Sequence, residues 1–287
     1  MTKQCIIIIP IYKKSITNDE QSSLVQCCNI LQNFNICFVA PKGLECFEYK
    51  KIVSPLNINY SFKFFDKAHF ENIISYSKFM LDKNFYKEFL EYKYMLIYQL
   101  DAWVFRDELQ EWCSKGFDYI GAPWFEGYDC AGKNSSFLAK SGNGGFSLRN
   151  IENFYKTLLT YEENFKKSKI KPMNRIYKKH GIVNFILHFF KIIESYYSKQ
   201  NTYSYVFETQ YEDTIIANYF ETFNKNFKVA TADEAIAFSF EVLPEILFEM
   251  NNNKLPFGCH AFKKYNWNFW KEYIKIQECF DKEELRR

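Results

Sequence analysis

The chain has 287 residues, 47% of them hydrophobic and 25% charged, a balance that supports a packed core and excludes a disordered chain. Its 37 basic and 34 acidic side chains leave a net charge of +3. No basic block precedes the Arg286-Arg287 tail, so a sequence-independent grip on nucleic acid is not expected.

Aromatic residues reach 20%, with 31 Phe and 21 Tyr. Beside abundant Lys, Asn and Ile and scarce Arg, this reads as a coding bias rather than a binding surface. Nine cysteines are scattered without a Cys-x-x-Cys pair, which argues against a disulfide framework and a zinc site and fits a reducing cytoplasm. Cys5 and Cys37 lie in apolar runs, where a free thiol acts as a small hydrophobe. The run from Cys5 to Ile9 is too short for a signal core. The apolar stretch 183–193 is broken by Asn184, His188 and Lys191 and falls short of the about 20 residues that cross a bilayer. A cytoplasmic, soluble chain is expected. Residues 183–197, with lysines at 178, 179, 191 and 199, read either as a solvated helix or as peripheral contact with the inner membrane face.

In chain order, the β-branched run at 5–9, stopped by Pro10, predicts a buried parallel strand. Helical spacing follows over 19–34, then a second buried strand at 35–41 and a third at 62–65. Residues 73–89 predict one helix and 94–101 a strong strand. Strands alternating with helices at this spacing predict an α/β chain with a mostly parallel sheet covered on both faces. Seven of the ten glycines then fall between Gly116 and Gly145, a density that marks tight turns or close backbone approach to a ligand. Further on, helices are expected at 151–165 and 212–223, a lid-like helical insertion at 166–204 with its helix at 182–197, a short strand at 227–230 and a terminal helix at 267–284.

Four constellations carry chemistry. In Tyr98-Gln99-Leu100-Asp101-Ala102-Trp103 a carboxylate stands amid apolar residues at the end of a strand, where open α/β sheets bind ligands. Burial of an unpaired carboxylate is costly, so Asp101 either caps a loop or holds a divalent ion against phosphate oxygens. In Ser141-Gly142-Asn143-Gly144-Gly145-Phe146-Ser147-Leu148-Arg149 the paired glycines either make a plain turn or let the chain pass close to a sugar, with Asn143 on its hydroxyls. Glu212-Asp213 opens a helix, where acids favour the helix dipole or supply a base. In Pro256-Phe257-Gly258-Cys259-His260, the histidine is either a satisfied core residue or a ligand suited to a transition ion such as Mn2+.

Taken in order, these segments, with Tyr119-Ile120-Gly121-Ala122-Pro123-Trp124, resemble nucleotide-sugar-dependent glycosyltransferases of the GT-A fold. Within that group the chain is similar to a bacterial domain family of unknown function (5672). The resemblance implies a single GT-A-like, Rossmann-like domain over 1–287, with a nucleotide-binding half at 1–115 and an acceptor half at 116–287 that contains the helical insertion at 166–204. It implies a divalent cation, Mn2+ or Mg2+, held by Asp101 and His260, with Gln99 standing where the family's Asp-x-Asp motif has its first Asp. It implies a base from Asp213, with Glu212 in reserve. Pro10, Ile11 and Tyr12 would meet the nucleobase, and Asn143, Gly144 and Gly145 would line the donor site. The implied partners are a nucleotide-sugar donor, UDP-linked above all, and a glycan or glycolipid acceptor in bacterial surface polysaccharide assembly. Inverting transfer is expected. A nucleotidyltransferase is the competing enzyme reading, but no glycine-rich phosphate loop follows the first strand. A non-catalytic sugar-binding protein of the same fold is the other alternative.

Overall fold

The computed structural model describes residues 3–165 and 210–276. Its strands are β1 (Lys3–Pro10), β2 (Asn35–Pro41), β3 (Tyr60–Phe65), β4 (Tyr92–Tyr98), β5 (Trp103–Val104), β6 (Tyr119–Ile120), β7 (Pro123–Phe125), β8 (Phe137–Ser141), β9 (Phe146–Asn150), β10 (Ser239–Phe240) and β11 (Gly258–Cys259). Among the described residues, six of these form the central sheet in the order β3-β2-β1-β4-β9-β6. The pairs β3–β2, β2–β1 and β1–β4 are parallel, while β9 runs antiparallel to β4 and β6. A smaller sheet orders β10-β11-β5, and β7 pairs with β8.

The apolar strand runs follow from burial on both faces. Ile7, Ile9, Ile36, Phe38, Leu96 and Tyr98 pack to one side against helix α1 (Asn18–Ile30) and, past α2 (Phe47–Val53), against residues such as Leu109 and Trp112 further on. Their alternates Ile6, Ile8, Cys37, Val39, Met95 and Ile97 pack to the other. A strand with no solvent face has no polar alternation to show. Helix α1 starts at a capping box in which the Thr17 hydroxyl accepts from the Glu20 amide and Glu20 accepts from the Thr17 amide. The second face is covered by α3 (Ile73–Phe79), α4 (Lys83–Lys87), α6 (Ile151–Phe165) and α7 (Glu212–Phe223), with α5 (Leu109–Ser114) on the first. A third cluster, including Trp103, Phe240, Cys259, Phe262 and Trp270, lies under the small sheet.

The strands at β1, β2, β3 and β4 and the helices at 151–165 and 212–223 stand where the sequence predicts them, with β1 taking in Pro10, which pairs with Val39. The single helix expected over 73–89 is instead two. Asp82 accepts from the Asn84 amide at 2.8 Å and starts a new helix, so its side chain replaces a helical partner. The strand expected at 227–230 reduces to one bridge, Tyr119 to Val229, because the Asp118 carboxylate takes the Lys228 amide at 2.8 Å. The terminal helix is one turn, Trp267–Trp270, and residues past 276 lie outside the described part. The expected insertion at 166–204, with its helix at 182–197, also lies outside the described residues. The eight described cysteines are unpaired thiols, all but Cys130 buried. Among the described residues no helix is long and apolar enough to cross a membrane.

Candidate active site

Between β1 and β4 the topology reverses, since the chain leaves β1 toward β2 on one side while β4 flanks the other. Strand ends part at such a point and leave a crevice. Here a cleft of about 500 Å³ is lined by Pro10, Ile11, Tyr12, Gln99 and Asp101, with Tyr49, Asn72, Ile73 and Tyr76 across from them. Five residues expected at the donor site therefore share one cavity.

The small sheet brings in the rest. Strands β10 and β11 are parallel, so Glu241 and His260 leave adjacent strand ends side by side. Strand β5 runs antiparallel to β11 with Trp103 opposite Cys259, which sets Asp101, two residues before Trp103, beside His260. The backbone turns at once after the histidine, with Ala261 at φ 51°, a left-handed conformation unfavourable for a residue with a Cβ. The His260 Nε2 lies 3.2 Å from Asp101 Oδ1 and 3.1 Å from Gln99 Oε1, and its Nδ1 lies 2.9 Å from Glu241 Oε1. Burial opposes charge on this imidazole, but the Asp101 and Glu241 carboxylates outweigh it and push it up to about 10. Burial would likewise lift Asp101; the His260 charge wins and holds that carboxyl below its usual range.

The glycine turn packs directly against side chains of the site. A Cβ on Gly145 would stand 2.0 Å from His260 Nε2, and one on Gly144 would stand 2.5 Å from Glu212 Oε1. The pair thus makes room for two side chains of the site. Asn143 is engaged within the turn, its Nδ2 donating to Glu241 at 2.7 Å and its Oδ1 accepting from the Gly145 amide at 3.0 Å. Behind the turn the fully buried Arg149 guanidinium donates to Ser147 at 3.1 Å, Tyr86 at 3.0 Å and the Gly144 carbonyl at 3.3 Å. Its Nη2 stands 3.6 Å from Glu212 Oε1, and Ser77 donates to Glu212 Oε2 at 2.6 Å.

Asp213 is placed differently from its neighbour. Its Oδ1 accepts from the Thr214 amide at 2.7 Å, and its Oδ2 has no hydrogen-bond partner among the described residues. Burial first, and then the Glu212 charge, push its carboxyl up to about 8.

Glu241, Ser77 and Tyr76 are functional candidates that sequence reasoning missed. Glu241 had a visible signal, a lone acid in the apolar run from Ala235 to Leu243, which burial makes costly unless a partner is waiting. Ser77 and Tyr76 carried none, because their importance comes only from what the folded chain sets opposite them.

The donor set fits a divalent cation that also holds a substrate. One carboxylate oxygen and one imidazole nitrogen converge, and Glu241 on the far ring nitrogen orients the imidazole as second-sphere carboxylates do for metal-bound histidines. Among the described residues no group of three or more His, Cys, Asp or Glu side chains could hold a metal ion by itself. Further ligands would have to be phosphate and water oxygens, the usual arrangement for small hard cations on phosphate substrates.

Residues 59–260 match the family described as "Protein of unknown function (DUF5672)". The chain belongs to that family. No curated protein matches it by sequence. Among solved structures, this DUF5672 chain is similar to the galactosyltransferase LgtC in complex with donor and acceptor sugar analogs, at 11% identity and a TM-score of 0.46, over 98% of this chain and 99% of that one. It is similar to core-mannan synthase A (CmsA/Ktr4) from Aspergillus fumigatus in its Mn/GDP form, at 11% identity and a TM-score of 0.37, over 53% of this chain. The match spans 60% of the length of that synthase. The PaToxG glycosyltransferase matches at 16% identity and a TM-score of 0.31, over 69% of this chain and 72% of that one. These are likenesses of chain course alone.

Two outcomes test this geometry. Gly145→Ala should drive the imidazole from between its two carboxylates, so the His260 titration midpoint should drop from about 10 toward the ordinary histidine range, read by ring-proton NMR against pH. An unmoved midpoint would show that the turn does not confine the ring. Asp213 titrates near 8 in the folded chain and near 4 unfolded, so the folded state holds the extra proton between those values and this group's contribution to stability falls as pH rises across the window. Urea denaturation should therefore show Asp213→Asn gaining on the wild type from pH 5 to pH 8, with parallel curves ruling the shift out.

Proposed function

We propose that this protein is a glycosyltransferase that uses a nucleotide-diphosphate sugar and a divalent cation and inverts the anomeric centre. One observation carries the reading. Two halves of the chain meet so that the carboxylate of Asp101, which lines the cleft where β1 and β4 part, stands 3.2 Å from His260 Nε2. A diphosphate needs that pairing of a crevice for the nucleoside with a cation site at its rim.

In this reading Pro10, Ile11 and Tyr12 receive the base and ribose, and Asp101 and His260 hold the cation. When bound, Mn2+ or Mg2+ supplies positive charge to the diphosphate as it leaves. Glu241 fixes the His260 ring through Nδ1, and Gly145 leaves the ring its space. The transition state is oxocarbenium-like, so a negative wall around the reacting carbon stabilises it. Glu212 supplies part of that wall, its two oxygens held by Ser77 and facing Arg149. The acceptor hydroxyl must lose its proton as it attacks, and the unpartnered oxygen of Asp213 takes it. Both oxygens of Glu212 are already engaged, by Ser77 and by Arg149, whereas one oxygen of Asp213 is open, which supports this assignment over Glu212.

Asp101→Asn should abolish manganese-dependent cleavage of a UDP- or GDP-hexose while leaving the fold intact by circular dichroism, and EDTA should do the same to the wild type. Full turnover in either case would overturn the cation site. Asp213→Asn should lower kcat by about 10²-fold or more with the donor KM little changed. If Glu212→Gln loses more kcat than Asp213→Asn, the base is Glu212.

A further inference from the structure

The short helix α3 sends two neighbouring side chains into the site, although nothing in its sequence marks it. Ser77 reaches Glu212 at 2.6 Å, and Tyr76, half-buried, lines the cleft beside Gln99 and Asp101. The Tyr76 phenol stands within electrostatic reach of both Glu212 and Arg149. It therefore lies between the cation end of the cleft and its acidic end. A sugar joined to a diphosphate at one end and attacked at the other must occupy that interval.

The polarity of the contacts decides what Tyr76 offers. Gln99 presents Oε1 to His260 Nε2, and a positive group at that nitrogen, proton or cation, selects the oxygen end of the amide. The Tyr76 side chain lines the cleft, and its hydroxyl has no hydrogen-bond acceptor among the described residues, so that donor is available to a ligand. Burial and the Glu212 charge raise the phenol above its usual range, which keeps that proton in place.

We propose that the Tyr76 hydroxyl donates a hydrogen bond to a hydroxyl oxygen of the transferred sugar, a neutral glycosyl group, and so makes Tyr76 a donor-sugar specificity residue. This rests on the glycosyltransferase reading above. Tyr76→Phe removes one oxygen and keeps the ring, so packing of α3 is preserved. Calorimetric titration with Mn2+ present should compare UDP with UDP-glucose and GDP with GDP-mannose.

For whichever pair the wild type binds, Tyr76→Phe should weaken the nucleotide sugar about five- to tenfold, the worth of one hydrogen bond, and leave the nucleoside diphosphate unchanged. Equal weakening of both ligands would mean that Tyr76 only braces Gln99, and no weakening of either would mean that it touches nothing; each overturns the proposal. A wild type that binds neither pair would instead remove the glycosyltransferase reading itself, and the two failures are told apart by the wild-type titration alone.

Discussion

Everything near the cleft depends on a buried imidazole kept between two carboxylates. His260 sits where charge is disfavoured, and neither Asp101 nor Glu241 alone faces both of its nitrogens. Removing either acid would leave a buried charge or an unmade hydrogen bond, both of which are expensive. The three residues are held by the ends of three very short strands, two of them parallel and one antiparallel. Such strands contribute few ladder bonds, so the packing of Trp103, Phe240, Cys259, Phe262 and Trp270 beneath them supplies the rigidity.

A second buried charge faces the first across the glycine turn. Arg149 is wholly enclosed, and Tyr86, Ser147 and the Gly144 carbonyl take its donors while Glu212 balances its charge. The turn from Gly142 to Gly145 thus separates a histidine between two acids from an arginine beside one. Adding a side chain at Gly144 or Gly145 would collide with one group or the other. That double constraint explains adjacent glycines better than a flexible loop would.

Much of the frame was legible beforehand. Runs such as Ile6-Ile7-Ile8-Ile9 and Met95-Leu96-Ile97 can only be buried on both faces, and so announce a covered, mostly parallel sheet. Asp101 and His260 were visible as polar groups set in apolar surroundings, and Glu212 and Asp213 as acids opening a helix. Less legible were local contests between side chain and backbone. The break before Asp82 and the lost ladder at Lys228 each turn on one carboxylate capturing one amide, which hydrophobic periodicity does not register.

The sequence by itself determined the α/β class, the order of strands and helices, and the identity of the groups that must find partners, because burial and chain periodicity are local properties. Only the tertiary structure decided which partners they find. Glu241 on the far nitrogen of His260, Ser77 on Glu212, and Tyr76 beside Gln99 are meetings of residues far apart in the chain. Their distances depend on sheet order and strand ends, which are settled by packing of the whole molecule and leave no trace in residue spacing.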